Sequence, residues 1–263
     1  MKISVIGAGA MGGAMVHGML KGSTFANADI TVADPSAKAL EQFEATGVTV
    51  TTNNALAAKA SDIVAVVVKP WLVESVLKGI MQSLDYNRQL LIVVAAGVSS
   101  AQIKEWLDKG DGTMIPLFLV IPNTAIAVMN SMTFVVPVGA SEEQTTTVKA
   151  MFDEMGCTLI TEERLLAAGT TLASCGIAYA MRYVRAASEG GVEIGFKADD
   201  AKAIVLQTVK GAVELLQANG NHPEAEIDKV TTPGGVTIKG LNEMEHAGFT
   251  SAVIRGLKAG MKS

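Results

Sequence analysis

The fold of this chain is decided by residues 1–34, MKISVIGAGAMGGAMVHGMLKGSTFANADITVAD. An apolar, β-branched run at 3–6 predicts a strand buried on both faces, and a turn with G-x-G-x-x-G spacing follows at 7–12. Apolar residues then recur at helical spacing, and a second β-branched run at 30–33 ends on Asp34. A strand, glycine turn, helix, strand and acid in this order form the setting in which such a turn binds a dinucleotide.

Each part of this turn has a physical role. Gly7 makes the tight bend, Gly9 lets the backbone approach a pyrophosphate, and Gly12 lets the helix pack closely on the strand. The pyrophosphate would lie on unpaired amides at the helix N-terminus, and Asp34, 22 residues past Gly12, would accept from the adenine ribose. The alternative is a glycine turn that only packs a helix on a sheet. The cofactor contacts predicted here are Gly7, Ala8, Gly9, Ala10, Met11, Gly12 and Asp34.

The composition predicts an ordered globular protein. Of 263 residues, 49% are hydrophobic and 18% are charged, which argues against disorder. The formal net charge is −5 and no basic run occurs, so we expect no nucleic-acid partner. Two cysteines and three scattered histidines suggest neither a disulfide framework nor a metal site. Because no run of about 18 apolar residues occurs, we expect no membrane span and a cytoplasmic location.

Residues 1–161 alternate between strand and helix patterns. Beyond the first two strands, apolar or β-branched runs predict strands at 48–50, 62–68, 90–96, 114–121, 132–136 and 158–161. Helices are predicted after Pro35, at 54–60 with Asn54 as N-cap, around 73–80, after Ser99 or Ser100, and at 142–155. This alternation predicts an α/β fold, with a Rossmann-type doubly wound parallel sheet as the N-terminal dinucleotide-binding domain, residues 1–161.

From residue 162 the strand signals end, and we place an all-α domain at 162–263. Its first part, 162–188, is a long helical run with small residues on nearby turns, which lets another helix approach closely. These residues are Gly169, Ala173, Gly176 and Ala180. Gly190-Gly191 and Gly195 are expected to interrupt the helical pattern. A second helix is predicted from Asp199 or Asp200 to about 219, and two shorter helices are predicted at 237–246 and 250–261.

A second constellation, VTTPGGVT at residues 230–237, separates these helices. Pro233 removes an amide donor, Gly234-Gly235 lets the backbone turn, and Thr237 lies where the next helix begins. Free amides at that helix start would bind a carboxylate, with threonine hydroxyls as neutral donors. A helix-capping loop without a ligand is the alternative.

The chain resembles the pyrroline-5-carboxylate reductase family along essentially its whole length. Several motifs occur in the family's order, ending in the strongest one, TPGGVT at 232–237. The earlier ones are the glycine turn at 7–12, Val68-Lys69-Pro70, Ala95-Ala96-Gly97-Val98, Pro122-Asn123-Thr124, Ala178-Tyr179-Ala180 and Gly190-Gly191-Val192. The resemblance implies a Rossmann domain followed by a helical domain that dimerises by interlocking helices.

The resemblance also implies a reaction, in which hydride passes from NADPH or NADH to the imine carbon of 1-pyrroline-5-carboxylate and gives L-proline. Thr237, the implied catalytic residue, would hydrogen-bond the ring nitrogen, while amides around 234–237 would hold the substrate carboxylate. The implied substrate-binding set is Thr231, Thr232, Gly234, Gly235, Val236 and Thr237. The further cofactor contacts implied are Asn54, Val68, Lys69, Pro70, Ala96, Gly97 and Asn123. The implied partner is a second copy of the chain, with a higher oligomer of dimers left open.

The chain departs from the family pattern at four places. The family segment Ser-Gly-Ser-Gly-Pro-Ala-Tyr is replaced by ASCGIAY at 173–179. The absence of proline at Ile177 predicts a straighter first helix, because proline would remove a helical hydrogen bond. The other departures are Ala125 for a proline, Leu119 for an arginine, and Gly220 for an acid before the His-Pro pair.

Two other functions stay open at this point. One is a reductase for another imine or a 3-hydroxy acid on the same scaffold, although 3-hydroxy-acid dehydrogenases of this architecture place a lysine on the long helix and 162–188 contains none. The other is a non-catalytic cofactor-binding paralogue, which the altered segment at 173–179 keeps open.

The cofactor preference follows from Asp34. A 2′-phosphate beside this carboxylate would meet like charge, so we expect NADH to be used at least as well as NADPH. Ser36 and Lys38 would still accommodate the phosphate if Asp34 turned away.

Overall fold

The computed structural model describes residues 1–261 and divides into two compact units. The first unit is Met1–Ser174 and the second begins at Cys175. The strands of the first unit are β1 (Ile3–Ile6), β2 (Ile30–Ala33), β3 (Thr49–Thr51), β4 (Ile63–Val66), β5 (Leu90–Val93), β6 (Leu117–Ile121), β7 (Ser131–Val138) and β8 (Gly156–Ile160). Its helices are α1 (Ala10–Met19), α2 (Ala37–Leu40), α3 (Asn54–Lys59), α4 (Val73–Ile80), α5 (Ser100–Trp106), α6 (Glu142–Asp153) and α7 (Leu166–Gly169).

The eight strands form one sheet in the order β3-β2-β1-β4-β5-β6-β7-β8. Ile3 of β1 pairs in parallel register with Ile30 of β2 and with Ile63 of β4. The strand order therefore reverses beside β1, which makes this the topological switch point. In open α/β sheets a ligand crevice lies outside the carboxyl ends of the strands at such a point.

The predicted doubly wound sheet is confirmed for β1–β6, but the last two strands run the other way. β7 pairs antiparallel with β6, and β8 pairs parallel with β7. The reason is the connection between β6 and β7, which comprises only residues 122–130. A parallel crossover needs a dozen residues or more, so this short connection returns the chain antiparallel.

The central strands are buried on both faces, as their continuous apolar runs predict. β1, β4 and β5 are buried at every position. On one face, Val5 and Ile92 belong to a core that includes Phe43. On the other face, Ile6 belongs to a core that includes Leu77. Helices cover both sides, which fixes the sheet as the rigid support on which loops at its edge are placed.

The compact units divide later in the chain than the predicted boundary at residue 161. The segment 163–174 belongs to the sheet unit because it is attached there by specific contacts. The Ser100 amide and hydroxyl donate to the Glu163 carboxylate at 2.8 and 2.5 Å. A Cβ on Gly169 would meet the Phe134 ring at 3.0 Å, so a side chain there would require the ring to move.

The second unit consists of five helices among the described residues: α8 (Gly176–Glu193), α9 (Ala198–Asn219), α10 (Pro223–Lys229), α11 (Val236–His246) and α12 (Phe249–Gly260). Ala201 is its one buried residue within 175–261. α9 lies close to α8, because a Cβ on Gly191 would meet the Ala201 Cβ at 2.9 Å. Large apolar side chains are exposed along these helices, Ile194 at 78% and Val236 at 85% among them. The single chain therefore supplies no hydrophobic core for this unit.

Several local predictions are wrong in the helical region. The run 162–188 is not one straight helix, since a π-helical turn at Thr170–Ser174 precedes α8 even though Ile177 replaces proline. Gly190-Gly191 does not punctuate, because α8 continues to Glu193 and Gly191 provides the close approach to α9. The prediction also missed α10, whose start signal is Pro223 at the first helical position after the cap His222.

Two helix starts in the first unit are set by side-chain caps. Asn53, rather than the predicted Asn54, caps α3, its side chain accepting from the Leu56 amide at 3.0 Å. Ser99 caps α5 in a reciprocal pair with Gln102. The choice between adjacent residues with equal capping preference depends on which one has extended backbone, and the sequence does not show this.

Glu154, the residue after α6, fastens the turn that follows α1. Its carboxylate accepts from the Ser23 amide, from the Ser23 hydroxyl at 2.6 Å and from the Thr24 amide at 3.1 Å. These hydrogen bonds lower the pKa of Glu154 from 4.5 to about 2. A depressed carboxyl pKa contributes stability above the unfolded value of 4.5, and this contribution is lost as the pH falls through about 2.

We therefore expect Glu154→Gln to destabilise the fold at neutral pH by about 1 kcal/mol, since the bonds are charged but partly screened by solvent. Thermal unfolding should show this gap between pH 5 and 8, and the gap should close as the pH falls below about 4.5. Glu105→Gln, which removes the same charge from an exposed site on α5, is the matched control. An equal gap at all pH values would contradict this role for the ionised carboxylate.

Candidate functional site

A cleft of about 470 Å³ lies at the carboxyl ends of the central strands. Its lining residues come from the turn after β1, the end of β2, the segments after β4, β5 and β6, and the π turn that precedes α8. They are Gly7, Gly9, Ala10, Met11, Asp34, Val67, Val68, Lys69, Pro70, Leu72, Val94, Ala95, Ala96, Ile121, Pro122, Thr124, Thr170 and Ser174. This position coincides with the crevice expected at the switch point of the sheet.

The turn after β1 has no space for side chains at two of its glycines. Gly7 has φ +110°, and a Cβ there would meet the Val67 carbonyl oxygen at 2.2 Å. A Cβ on Gly12 would meet the Gly7 carbonyl oxygen at 1.8 Å. Gly9 is different, since nothing lies within 4 Å of the position that a Cβ would take. Gly7 and Gly12 therefore serve close packing, whereas Gly9 leaves the backbone open toward the cleft.

The amides at the start of α1 point to an anion site. Gly9 is the N-cap of this helix and makes no side-chain capping bond. The first-turn amides of Ala10, Met11 and Gly12 therefore receive no side-chain acceptor, and the helix dipole adds positive potential there. A pyrophosphate fits this cradle, because it approaches a backbone without side chains and accepts hydrogen bonds from several amides.

Asp34 lines the cleft at the end of β2 with its carboxylate held in place. One oxygen accepts from the Ala8 amide at 2.8 Å and the other accepts from the Ser36 amide at 2.9 Å. A carboxylate offers about four lone-pair sites, so acceptor capacity remains for ribose hydroxyls. α2 is capped by Ser36, whose hydroxyl accepts from the Ala39 amide at 3.4 Å. The carboxylate thus joins the glycine turn to the next strand.

Comparisons with known proteins agree with this geometry. Two family models match: pyrroline-5-carboxylate reductase dimerisation over residues 163–263, and NADP oxidoreductase, coenzyme F420-dependent, over residues 2–97. Pyrroline-5-carboxylate reductase 2 of Dictyostelium discoideum is 34% identical over 97% of this chain and 89% of its own length. The chain belongs to the pyrroline-5-carboxylate reductase family.

Other relatives in the pyrroline-5-carboxylate reductase family extend this match. Reductase 1 of Dictyostelium discoideum is 38% identical over 97% of this chain, which spans about half of that protein, 48%. The Arabidopsis thaliana reductase is 31% identical over 99% of this chain and 93% of its own length.

Solved structures of family members have the same fold. The Streptococcus pyogenes reductase is 28% identical with a TM-score of 0.87, and the alignment covers 99% of this chain and 96% of that one. The Plasmodium falciparum enzyme, solved with NADP bound, has a TM-score of 0.90 at 24% identity, covering 100% and 96% of the two chains.

The cleft brings together most of the cofactor contacts expected for the pyrroline-5-carboxylate reductase family. The predicted residues that line it are Gly7, Gly9, Ala10, Met11, Asp34, Val68, Lys69, Pro70 and Ala96. Ala8 and Gly12 lie within the same turn, Ala8 donating to Asp34 and Gly12 packing under Gly7. Gly97 directly follows the lining residue Ala96 and has φ +76°.

Besides Ala8, Gly12 and Gly97, two further predicted cofactor contacts, Asn123 and Asn54, do not line this cleft. Asn123 is buried, and its side chain caps the turn after β6 by accepting from the Ala125 amide at 3.0 Å. Asn54 lies in a separate cleft of about 510 Å³ beside Asn53 and Ser75. Its Oδ1 is buried and has no hydrogen-bond partner among the described residues.

The sequence missed the lining residues that are not part of a motif. Val67, Val94 and Ile121 lie at or directly after the ends of β4, β5 and β6, so the rule that ligands bind at carboxyl strand ends would have found them. Thr170 and Ser174 carry no such signal. They reach the cleft only because the segment 163–174 packs on the sheet.

The predicted substrate-binding residues surround the start of α11 in the second unit. The Gly235 amide donates to the Thr232 carbonyl at 3.0 Å, and Gly234 has φ +71°, which closes a tight turn before the helix. Gly235 is the N-cap and makes no side-chain capping bond. The amides of Val236, Thr237 and Ile238 are therefore open to an external acceptor.

The threonines of this loop differ in what their hydroxyls do. Thr231 donates to the Ile227 carbonyl at 2.7 Å, which ends α10. The Thr237 hydroxyl, at the second position of α11, is exposed and has no hydrogen-bond partner among residues 1–261. Thr232 is also exposed and its hydroxyl has no hydrogen-bond partner among residues 1–261, so the hydroxyls of Thr232 and Thr237 are both available to a ligand.

The described part of the chain contains no group of three or more His, Cys, Asp or Glu side chains arranged to hold a metal ion. Within the same residues, none of the helices combines the length and the apolar character needed to cross a membrane.

Proposed function

We propose that this chain reduces 1-pyrroline-5-carboxylate to L-proline with a reduced nicotinamide dinucleotide. The observation that carries the proposal is that relatives 31–34% identical over nearly the whole chain, and covering most of their own lengths, are named for this reductase. The cleft supports it independently, since the open Gly9 backbone, the α1 amides and Asp34 match the pyrophosphate and ribose of such a cofactor.

The reaction mainly requires that the protein position the substrate ring against the cofactor. Bound in the cleft, the reduced nicotinamide would supply hydride to the imine carbon. A protonated imine is already electrophilic, so the protein needs to hold the substrate ring rather than provide strong acid catalysis. We propose that the amides of Gly234–Thr237 hold the substrate carboxylate and that the Thr237 hydroxyl hydrogen-bonds the ring nitrogen. The open amides and the unpartnered hydroxyl at the start of α11 support these roles.

Steady-state assays of the purified full chain test this function. We expect loss of reduced-nicotinamide absorbance with 1-pyrroline-5-carboxylate and formation of proline. No turnover is expected with 3-hydroxyisobutyrate and the oxidised cofactor. Calorimetric titration with NADH, run in parallel, separates a non-catalytic paralogue, which would bind the cofactor without turnover. That last result would overturn the proposed reaction while leaving the cofactor site intact.

We further propose that the second unit makes a homodimer. Its exposed apolar side chains motivate this, because each large side chain left in water forgoes about 1.5–3 kcal/mol of burial. A second copy would supply the core that 175–261 lacks. The match to the dimerisation model over residues 163–263 supports the same assembly. We propose that residues 162–263 carry both dimerisation and substrate binding. The proposal concerns the dimer and leaves open a higher oligomer made of such dimers.

We also propose a cytoplasmic location. Both cysteines are free thiols, Cys157 exposed and Cys175 partly buried, and a reducing compartment preserves such thiols. Fractionation of the native source cells should place the reductase activity in the cytosolic fraction, and activity confined to another compartment would contradict this.

We propose that NADH is used at least as well as NADPH. The Asp34 carboxylate is held by two backbone amides, from Ala8 and Ser36, so it stays at the ribose position instead of turning away. A 2′-phosphate there would meet like charge. Ser36 and Lys38 are exposed beside it and are the groups that would favour a phosphate.

The dimer proposal predicts an apolar interface well above about 1,200 Å² in total. Light scattering at micromolar concentration should give twice the chain mass. Ile194→Asp, at an apolar side chain that is 78% exposed in the single chain and outside the substrate-binding loop, should reduce association. A stable monomer of the wild-type chain would refute the assembly.

The role of Thr237 predicts that Thr237→Ala lowers turnover by about 10²-fold or more, the scale of removing one well-placed donor. The dissociation constant of NADH should barely change. Thr250→Ala is the matched control, because Thr250 occupies the same second position in α12. Near-normal turnover of Thr237→Ala would exclude the hydrogen bond to the ring nitrogen.

The role of Asp34 predicts that Asp34→Ser shifts the ratio of specificity constants toward NADPH by about tenfold, or roughly 1.4 kcal/mol. Serine still accepts from one backbone amide, so the turn keeps part of its support. Asp29→Ser removes a carboxylate at the opposite end of β2, which does not line the cleft, and should leave the ratio unchanged. A wild-type preference for NADPH by a hundredfold would mean that Asp34 only braces the glycine turn.

A further inference from the structure

The π turn at Thr170–Ser174 forms one wall of the cofactor cleft. Thr170 and Ser174 both line the cleft, on the side of the carboxyl end of β6. The two hydroxyls have different partners. Thr170 donates to the Leu166 carbonyl at 2.7 Å, one turn back in its own helix. Ser174 donates to the Pro122 carbonyl at 2.6 Å, on a distant segment of the chain. Ser174 is therefore the hydroxyl that ties the π turn to the sheet.

The polar groups next to the Pro122 carbonyl already have hydrogen-bond partners. The Asn123 amide donates to the Ser131 hydroxyl at 3.2 Å, and the Asn123 side chain accepts from the Ala125 amide at 3.0 Å. Pro122 itself has no amide to donate. Ser174 thus sets where this carbonyl points within the cleft wall, and without it a partly buried acceptor would lose its protein partner.

Besides the Ser174 bond, two further contacts hold the π turn in place. Glu163, at its N-terminal side, accepts from the Ser100 amide at 2.8 Å. Gly169, directly before the turn, lies against the Phe134 ring so closely that a Cβ would be at 3.0 Å. With Ser174 as the third attachment, the turn is fixed to the start of α5, to β7 and to the segment after β6.

The position of Ser174 identifies which end of the cofactor it would affect. The cleft extends from Asp34 after β2, past β1, β4 and β5, to Pro122 after β6. Four strand spacings of about 4.8 Å separate these ends by about 19 Å. With the adenine ribose at Asp34 and the pyrophosphate on the glycine turn, the nicotinamide lies toward Pro122 and Ser174. This step rests on the proposed cofactor.

We infer that Ser174 is a positioning residue for the nicotinamide ring. By fixing the Pro122 carbonyl and the π turn, its hydroxyl shapes the far wall of the cleft against which the ring is held. Hydride transfer requires the reacting atoms near contact distance, and small misplacements reduce the rate steeply. The effect of Ser174 is therefore on ring orientation and not on the binding of the adenosine half.

Binding of two ligands tests the inference without turnover. For Ser174→Ala we expect the dissociation constant of NADH to rise about fivefold and that of ADP-ribose, which lacks the nicotinamide, to stay within about twofold of wild type. Ser61→Ala is the matched control, because it likewise removes a serine hydroxyl that donates to a backbone carbonyl, that of Ala57, but away from the cleft. It should change neither constant.

Kinetics supply the second readout. With 1-pyrroline-5-carboxylate, Ser174→Ala should lower kcat about tenfold with little change in KM for the imine, and the primary deuterium isotope effect from 4-deuterated NADH should increase. Equal weakening of NADH and ADP-ribose, or constants and isotope effects that match Ser61→Ala, would overturn the inference. An inactive wild-type chain would instead refute the proposed reaction, while the two-ligand comparison would still decide the role of Ser174.

Discussion

The close contact of the glycine turn with the sheet is the constraint on which the rest of the structure depends. The Gly7 amide donates to the Ala33 carbonyl at 2.7 Å, and the space for a Cβ on Gly7 is taken by the Val67 carbonyl. Asp34 then accepts from the Ala8 amide. These contacts draw the ends of β1, β2 and β4 together, so that the first turn of α1 faces the cleft. Because Gly9 has no side chain, the backbone at this point of the turn is open to the cleft.

The far side of the cleft has a different origin. It is built by the segment 163–174, which returns to the sheet after β8 and is attached through Glu163, Gly169 and Ser174. The π turn here is stable although the chain lacks the proline that the resembled family segment carries. An isolated helical turn of this kind is unfavourable, and functional sites are where such turns commonly occur. Ser174 stands where the family pattern has a glycine. Its hydroxyl connects this turn to the sheet by one hydrogen bond, to the Pro122 carbonyl.

The helical unit obeys a different constraint from the sheet unit. Its helices begin and end at clear local signals, such as the left-handed Gly220 after α9 and Pro223 at the start of α10. Local signals, however, do not provide burial, and Ala201 is the one buried residue among 175–261. Of the glycines on α8, Gly191 provides a close helix approach beside Ala201, whereas among the described residues no atom outside the neighbouring helix backbone lies within 4 Å of a Cβ on Gly176 or Gly190. The exposed apolar side chains of this unit are therefore the reason for proposing a second copy of the chain as its partner.

The parallel part of the sheet could be predicted from the sequence, because its central strands are continuous apolar runs. The glycine turn after the first buried strand predicted that a helix follows and packs on the sheet. The glycine turn, the position of Asp34 after β2 and the helix start near 235–237 could be predicted as well, since each is encoded within a few adjacent residues. The tertiary structure alone decided the reversal of β7, which depends on the length of one connection, and the choice of Asn53 over Asn54 as cap. It also decided that Thr170 and Ser174 reach the cleft while Asn123 does not line it. Contacts between residues distant in the chain have no local pattern, and the packing of 163–174 on the sheet is such a contact.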